Sequence, residues 1–390
     1  MSAQPLEGVR VIDMGQVLAT PFATYLLNLL GAEVIKIEPP QGDWIRSGRL
    51  YSFATQNGGK ESIVVNMRAP GADEVVLRLI EQADVFTDGF APGVAEAMGL
   101  GWEVVKTRNP KIVYSSLSAF GADGPFGGRA GFDHVVQAVS GIMMSTGFPD
   151  GPPTKVGAPY LDFGGGLLLA FGLLAGIMEQ RRTGEAVRVD ATMLDAGLLF
   201  NAGALVATQD TGQSPPRAGN QTFAGTVASG AFETTDGLLM LAANKERHQR
   251  LVEELLDLEP LDTLSREDGR DRLAAGFATN TADFWEQKLT ALGVPAARVR
   301  SLHDVTESGY PTERGLLTPI PVAERDEPLL VPSLGVRLNG EMPGPRSSPP
   351  VLGQHTDEVL RRMGFSEGEL EELTRQGVIG TGDEPVVSRP

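Results

Sequence analysis

The segment Gly157-Ala158-Pro159-Tyr160-Leu161-Asp162-Phe163-Gly164-Gly165-Gly166 puts a carboxylate just ahead of an apolar run, Leu167 to Met178, that reads as a buried helix. A carboxylate there faces the free N–H groups of a helix N-terminus, and two kinds of chemistry are open to it. As a cap, Asp162 stabilises the helix by roughly 0.5–2 kcal/mol. As a nucleophile, it attacks a carbonyl carbon while backbone N–H groups hold the developing oxyanion. Gly164, Gly165 and Gly166 favour the second reading. Each costs a helix up to about 1 kcal/mol relative to alanine, yet each lets a ligand approach the backbone. The chain has no cysteine, which removes disulfides, thiolate metal sites and thiol nucleophiles. Its four histidines, His134, His248, His303 and His355, show no metal-ligand spacing. Covalent chemistry therefore falls to Ser, Thr, Lys, Tyr, Asp or Glu.

A second segment, Phe120 to Asp133, is glycine-rich and leaves the carboxyl end of an expected strand, where α/β proteins commonly bind ligands. Asp133 reads as a second site carboxylate or as a helix N-cap, and the cap is favoured. His134 has no identifiable partner and reads as a structural histidine. The first strand–helix turn, Asp13 to Pro21, lacks the three-glycine fingerprint that seats a pyrophosphate, so a nicotinamide enzyme is disfavoured. Glu38 ends the second expected strand, where a ribose-binding acid would stand, but a solvated strand-end acid is the commoner case.

These residues need a scaffold, and the hydrophobic rhythm supplies one. Val9 to Ile12 reads as a strand, Pro21 to Leu30 as a helix capped by Gly31, and Glu33 to Ile37 as a second strand. Strands at Ser62–Asn66, Asp84–Thr87, Lys111–Ser116 and Ala186–Ala191 follow, with helices at Gly71–Gln82 and Leu167–Gln180. Such alternation predicts an α/β fold with a parallel sheet over residues 1–200. Residues 209–232 are polar and read as a linker to a smaller module, 225–325, opened by a strand at Leu238–Ala242. Pro-rich stretches at 319–332 and 343–350 lead to two final helices, His355–Met363 and Ser366–Gln376, with Ser366 and Glu369 spaced as a capping box. The last segment, 330–390, is expected to return to the large domain. At 390 residues the chain is long enough for two such cores. The formal charge of −17 with scattered Lys and Arg argues against nucleic acid or an anionic membrane surface as partner. No run of about 18 apolar residues and no basic-then-apolar opening is seen, so a cytoplasmic protein is expected.

The sequence resembles the class III CoA-transferases, the CaiB/BaiF family. This is the group of formyl-CoA and carnitine CoA-transferases, to which α-methylacyl-CoA racemase is related. The resemblance spans nearly the whole chain. It is carried by Leu6-x-Gly8-Val9-Arg10-Val11-Ile12-Asp13, by Gly31-Ala32-Glu33-Val34-Ile35-Lys36-Ile37-Glu38-Pro39-Pro40 with Gly42-Asp43, and by Asn57-x-x-Lys60-x-Ser62-Ile63. Pro92-Gly93 with Met98-Gly99-Leu100, Gly131-Phe132-Asp133 with Gln137-Ala138-x-Ser140-Gly141, the Asp162 segment, and Leu352-Gly353-x-His355-Thr356-x-Glu358-Val359-Leu360 follow in the family's order. The resemblance implies a Rossmann-like large domain, a smaller α+β domain and an obligate homodimer of interlocked rings. It implies that Asp162 is the nucleophilic aspartate, passing through an acyl–aspartyl anhydride and an aspartyl-CoA thioester, with a Gly164–Gly166 turn as backbone support. CoA thioesters enter as substrates, and no metal or redox cofactor is implied. CoA is expected across Gln16, Leu18 and Ala19, then Val65, Asn66, Met67 and Arg68, then Phe90 and Ala91, then Arg129, Phe132 and Asp133. Arg68 and Lys60 are the candidates for its phosphates.

Departures from the family pattern matter. Pro39 stands where a basic residue is frequent, Gly89-Phe90 where an Asn-Phe pair is common, and Ala97 where formyl-CoA transferases carry arginine. They argue against the usual phosphate clamp and against formyl-CoA or oxalate specificity. The nearest alternative is a racemase working by two-base α-proton exchange. Racemases carry a catalytic histidine where this chain has Phe132, which cannot move a proton. A CoA-binding subunit without turnover is the other alternative, and retention of Asp162 argues against it. The donor and acceptor acids are not legible, although Gly219-Asn220 and Thr226 to Phe232 are candidates for lining an acyl pocket.

Overall fold

Val, Ile and Phe recur in short runs that become parallel strands in a computed structural model, which describes residues 4–47, 50–221, 225–322 and 325–380. They are β1 (Arg10–Met14), β2 (Glu33–Glu38), β3 (Glu61–Val65), β4 (Val85–Asp88), β5 (Val113–Ser118) and β6 (Val187–Thr192), hydrogen-bonded in the order β3-β2-β1-β4-β5-β6. All five pairings are parallel, with Ile12 opposite Ile35 on one side and Phe86 on the other. This is the doubly wound order, whose direction reverses between β1 and β4.

From β3 to β4 both faces of the sheet are covered and the strands are buried on both sides, whereas Arg188 and Asp190 of the edge strand β6 are exposed. The helices of this part are α1 (Ala19–Leu29), α2 (Leu50–Asn57), α3 (Ala72–Ile80), α4 (Trp102–Arg108), α5 (Asp133–Val139), α6 (Tyr160–Thr183), α7 (Met193–Phe200) and α8 (Ala202–Thr211). On one face Val11, Val34, Val85 and Val113 pack against Ala23 and Leu27 of α1 and Leu169, Leu173 and Ile177 of α6. On the other Ile12, Ile35, Ile63 and Phe86 meet Val76, Leu79 and Ile80 of α3 and Val105 of α4. Full burial of each such side chain contributes about 1.5–3 kcal/mol.

α6 differs from expectation at both ends and along one side. It starts at Tyr160, not Leu167, so Asp162 and all three glycines lie inside it. It is half buried: Leu167, Phe171 and Met178 are 54%, 71% and 72% exposed, one stripe along the helix. At 24 residues it is also long and apolar enough to cross a membrane by length and composition alone, contrary to the sequence reading.

The chain divides into two compact units: residues 4–142, 155–210 and 311–380 form one, and 143–154 with 211–310 the other. The chain thus rejoins the large unit at Pro311, earlier than residue 330, and residues 381–390 of the expected returning segment lie outside the described residues. The smaller unit is an antiparallel sheet of β7 (Ser229–Glu233), β8 (Leu238–Ala242) and β9 (Ala296–Arg298), with helices α9 (Glu246–Leu256), α10 (Arg266–Phe277) and α11 (Ala282–Ala291). Its core is Phe232, Leu239, Leu241, Val252, Phe277 and Trp285. β7 falls inside the stretch expected to be linker, because Ser229-Gly230-Ala231 is small and polar by composition yet pairs along its length with β8.

Back in the large unit, the Pro-rich stretch forms a hairpin of β10 (Leu317–Ile320) and β11 (Leu329–Pro332). Helices α12 (Thr356–Arg362) and α13 (Glu367–Arg375) then pack Val359, Leu360 and Leu370 onto the α3 face, and β12 (Ile379–Gly380) pairs antiparallel with β3. The Ser366–Glu369 capping box is present in both directions.

Candidate active site

The strand order reverses between β1 and β4, and ligands of such sheets settle outside the carboxyl ends at that point. Gln16 follows β1, Phe90 follows β4, and Val65, Asn66, Met67 and Arg68 end β3; all six line one cavity of about 300 Å³. Met14, Ile37 and Met98 give it apolar walls, and Arg68 is the one basic side chain among the described residues around it. Pro39 stands on the same wall. Glu38 is neither a free ribose acceptor nor a solvated acid. Its carboxylate is buried and takes two bonds of 2.7 Å from Arg46, one of 2.6 Å from the Ser62 hydroxyl and one of 3.0 Å from the Asp43 N–H. Burial pushes its pKa up, but Arg46 and Lys36 hold it below the usual carboxylate value. At Gly89 a Cβ would stand 2.9 Å from the Thr20 hydroxyl, so a larger residue there would displace Thr20.

Other residues expected to meet CoA are not part of this cavity's lining. Lys60 is buried, and its ammonium donates to Asp13 Oδ2 (3.0 Å), the Pro21 carbonyl (2.9 Å) and the Thr24 hydroxyl (2.8 Å). All three protons are used inside the fold, so Lys60 is a structural counter-ion and not a phosphate ligand. Burial lowers its pKa to about 8 despite Asp13. Leu18 and Ala19 do not line the cavity, and the Ala19 carbonyl turns toward α6. Ala91 lines a different cavity of about 360 Å³ with Asp88, Tyr114 and Arg188. Arg129 lies over the Phe126 ring and donates to the Pro125 carbonyl (3.3 Å). Phe132 is exposed and stacks on His134.

Asp162 sits in the first turn of α6, which Pro159 starts without a side-chain cap. The cap comes from a different element. Asp133, buried at the start of α5, accepts from the Leu161 N–H (2.7 Å) and the Asp162 N–H (3.4 Å) through Oδ2, and from Gln137 Nε2 (2.6 Å) through Oδ1. Gln137 in turn accepts from the Val156 N–H (2.8 Å), which ties down the segment before α6. Asp133 is thus a cap, as its residue type suggested, but for α6 and not for its own helix. The Tyr160 and Phe163 N–H groups reach the Ala158 and Pro159 carbonyls. All four leading donors are satisfied, and the Gly164–Gly166 N–H groups belong to the ladder of an unbroken helix. The expected glycine turn is therefore absent.

Those glycines serve close packing. A Cβ at Gly166 would stand 2.6 Å from the Ala19 carbonyl, one at Gly165 would meet Met193, and one at Gly164 would strike the Phe200 ring. Phe163 also packs edge-on against Phe22 at 4.9 Å. The Asp162 turn is thereby seated against the start of α1, directly after the loop that bears Gln16. Among the described residues nothing donates to the Asp162 carboxylate. Burial, and then the charge of Asp133, push its pKa up to about 7. Sequence reasoning missed the Asp133–Gln137 clasp, although the i,i+4 spacing was a signal for it.

A doubly wound α/β unit with a switch-point cavity and a perturbed carboxylate has the form of an enzyme site. Comparison with known proteins supplies the class. The family model CoA-transferase family III matches residues 6–356. Mouse succinyl-CoA:glutarate CoA-transferase is 33% identical, covering 97% of this chain and 91% of its own. Succinyl-CoA:mesaconate CoA-transferase of Haloarcula hispanica is also 33% identical, covering 93% and 97%. Among solved structures, a CaiB/BaiF family protein from Brucella suis superposes with a TM-score of 0.83 at 27% identity, covering 93% of this chain and all of that one. The chain belongs to CoA-transferase family III and is an enzyme of CoA transfer.

Proposed function

We propose that the enzyme moves CoA from an acyl-CoA to a carboxylic acid through covalent intermediates on Asp162. The ionised carboxylate attacks the thioester carbonyl and expels CoA thiolate, leaving an acyl–aspartyl anhydride. The thiolate returns to the aspartyl carbonyl, releasing the donor acid and leaving an aspartyl-CoA thioester. An acceptor carboxylate attacks that thioester, and the thiolate then attacks the acyl carbon of the new anhydride, which frees Asp162 and the product acyl-CoA. Storing the thioester on the enzyme avoids its loss to water. The observation that carries the reading is the Asp162 carboxylate: partly buried, without a hydrogen-bond donor among the described residues, and in a helix turn packed against the start of α1, which follows the loop that lines the cavity. A carboxylate without donors is the more nucleophilic for it.

The 300 Å³ cavity is the proposed CoA site, with Arg68 as the phosphate contact and Gln16, Asn66 and Phe90 on its walls. Succinyl-CoA is the first donor to test, and glutarate and mesaconate the first acceptors, because relatives at 33% identity are named for them. The racemase alternative needs a second base facing Asp162. Phe132 and His134 stack on each other instead, and Asp133 is the ionisable group whose charge acts on Asp162. The homodimer is also proposed, with the exposed stripe Leu167, Phe171 and Met178 of α6 as part of the subunit contact.

The test is mass spectrometry of the enzyme with succinyl-CoA and a panel of acids, with hydroxylamine trapping and Asp162→Ala as control. CoA transfer, with an adduct at Asp162 that the control lacks, is expected. No transfer and no adduct, together with α-deuterium exchange into a 2-methylacyl-CoA, would replace this reading with the racemase.

A further inference from the structure

Gly15 to Leu18, the loop that carries Gln16 into the cavity, is held almost entirely by side chains from outside it. Asp13 Oδ1 accepts from the Gly15 N–H (2.8 Å), and Lys36 Nζ donates to the Gly15 carbonyl (2.6 Å). Both oxygens of Asp43 accept from the Val17 N–H (3.1 and 3.2 Å). The Gln56 amide, oriented by the two carbonyls it faces, donates to Val17 (3.1 Å) and Leu18 (3.2 Å). Under the loop, Lys36 and Asp43 pair at 3.0 Å with no solvent exposure on either side chain. Asp43 is itself fixed, since its N–H donates to Glu38, the carboxylate clamped by Arg46.

Two features of this arrangement go beyond what stability explains. A fully buried ion pair is a poor source of net stability, because desolvation consumes most of its attraction. Val17 also stands at φ 67°, in the left-handed region that a β-branched residue rarely adopts. Strain of that kind persists where the surroundings over-determine the backbone, and such places cluster at ligand clamps. Gln16, the residue between the two anchored ones, is exposed and faces the cavity.

We propose that Lys36 and Asp43 are positioning residues for acyl-CoA binding: their buried ion pair clamps Gly15 and Val17 so that the strained loop presents Gln16 to the ligand in one preset geometry. This rests on the reading of the cavity as the CoA site. The clamp removes the entropy that a free four-residue loop would lose on binding, so its effect falls on affinity.

The test combines amide hydrogen exchange of the ligand-free protein with CoA titration by calorimetry, in Asp43→Asn and Val17→Gly, each with and without Gln16→Ala. Exchange of the Gly15–Leu18 amides is expected to speed up about tenfold in Asp43→Asn, and CoA affinity to fall by about tenfold. Val17→Gly is expected to hold or raise the melting temperature, since glycine adopts φ 67° freely, while still weakening CoA. In the Gln16→Ala background both losses of affinity should largely vanish. Equal losses with and without Gln16, or unchanged exchange in Asp43→Asn, would overturn the proposal. If the wild type binds no CoA while exchange still responds to Asp43→Asn, the clamp of the loop stands and the assignment of the cavity falls.

Discussion

Replacing Asp133 with asparagine separates the two effects it has on Asp162. The Asp162 pKa rises from an ordinary 3.8 to about 7, a change of about 3 to which burial contributes more than Asp133 does. The share of Asp133 is therefore under half, and its removal should bring the pKa down by about one pH unit. On the proposed mechanism Asp162 attacks as the ionised carboxylate, so the acid limb of kcat/KM in the free enzyme should move from near pH 7 to near pH 6. At pH 6 the ionised fraction then rises from about 10% to about 50%, so relative to its own plateau the variant gains about fivefold there. The plateau itself should drop. Asparagine offers one acceptor oxygen where the carboxylate served Leu161, Asp162 and Gln137, and loss of a cap bond costs about 1 kcal/mol. The groups on elements packed against α6 are Tyr25 on α1, Tyr114 on β5, Arg188 and Asp190 on β6, Asp195 on α7, and Asp133 and His134 on α5; of these Asp133 acts on Asp162. The assay is a pH series of initial rates with succinyl-CoA. A limb that stays near pH 7 under a lowered plateau would refute the electrostatic reasoning and leave burial alone as the cause.

The same raised pKa has a consequence for folding. A carboxyl whose folded pKa lies above its unfolded value favours the folded state below the unfolded pKa, and that advantage is lost as pH rises through about 7. Asp162→Asn should therefore be more stable than wild type at pH 8, by up to about 4 kcal/mol at 1.36 kcal/mol per pH unit, with the difference closing below about pH 4, as read by melting temperature across the pH range. Arg68→Ala should raise KM for acyl-CoA several-fold with the melting temperature unchanged, whereas Lys60→Met should cost about 3–5 kcal/mol of stability by stranding Asp13; calorimetry beside kinetics distinguishes them. Gly166→Ala should cost about 1–3 kcal/mol and lower kcat, because its methyl meets the Ala19 carbonyl and pushes the Asp162 turn away from α1. Phe171→Glu should weaken self-association, read by light scattering, and an unchanged dimer would remove α6 from the subunit contact.

The order of elements was legible because strands and helices of a doubly wound unit carry their own periodicity. Val9 to Ile12, Glu33 to Ile37 and Ser62 to Asn66 became β1, β2 and β3 within one or two residues. Asp162 stood out as a candidate from residue type and neighbourhood, an acid and three glycines at an apolar helix, with a cap and a nucleophile both open until the family resemblance favoured the nucleophile. What those glycines do was not, because the cost of glycine in a helix is local while the benefit, room for Ala19, Met193 and Phe200, comes from elements far away in the chain. Lys60 failed for the same reason. A lysine after a strand-facing loop looks free in sequence, and only folding brings Asp13, Pro21 and Thr24 around it. The sequence by itself determined the layered α/β unit and the family, and nominated the carboxylate, since each is written in short-range pattern. Tertiary structure alone decided that Asp133 caps α6, that Glu38 belongs to Arg46, and that Lys36 and Asp43 hold the Gln16 loop, since long-range pairing of buried charges leaves no periodic trace in the chain.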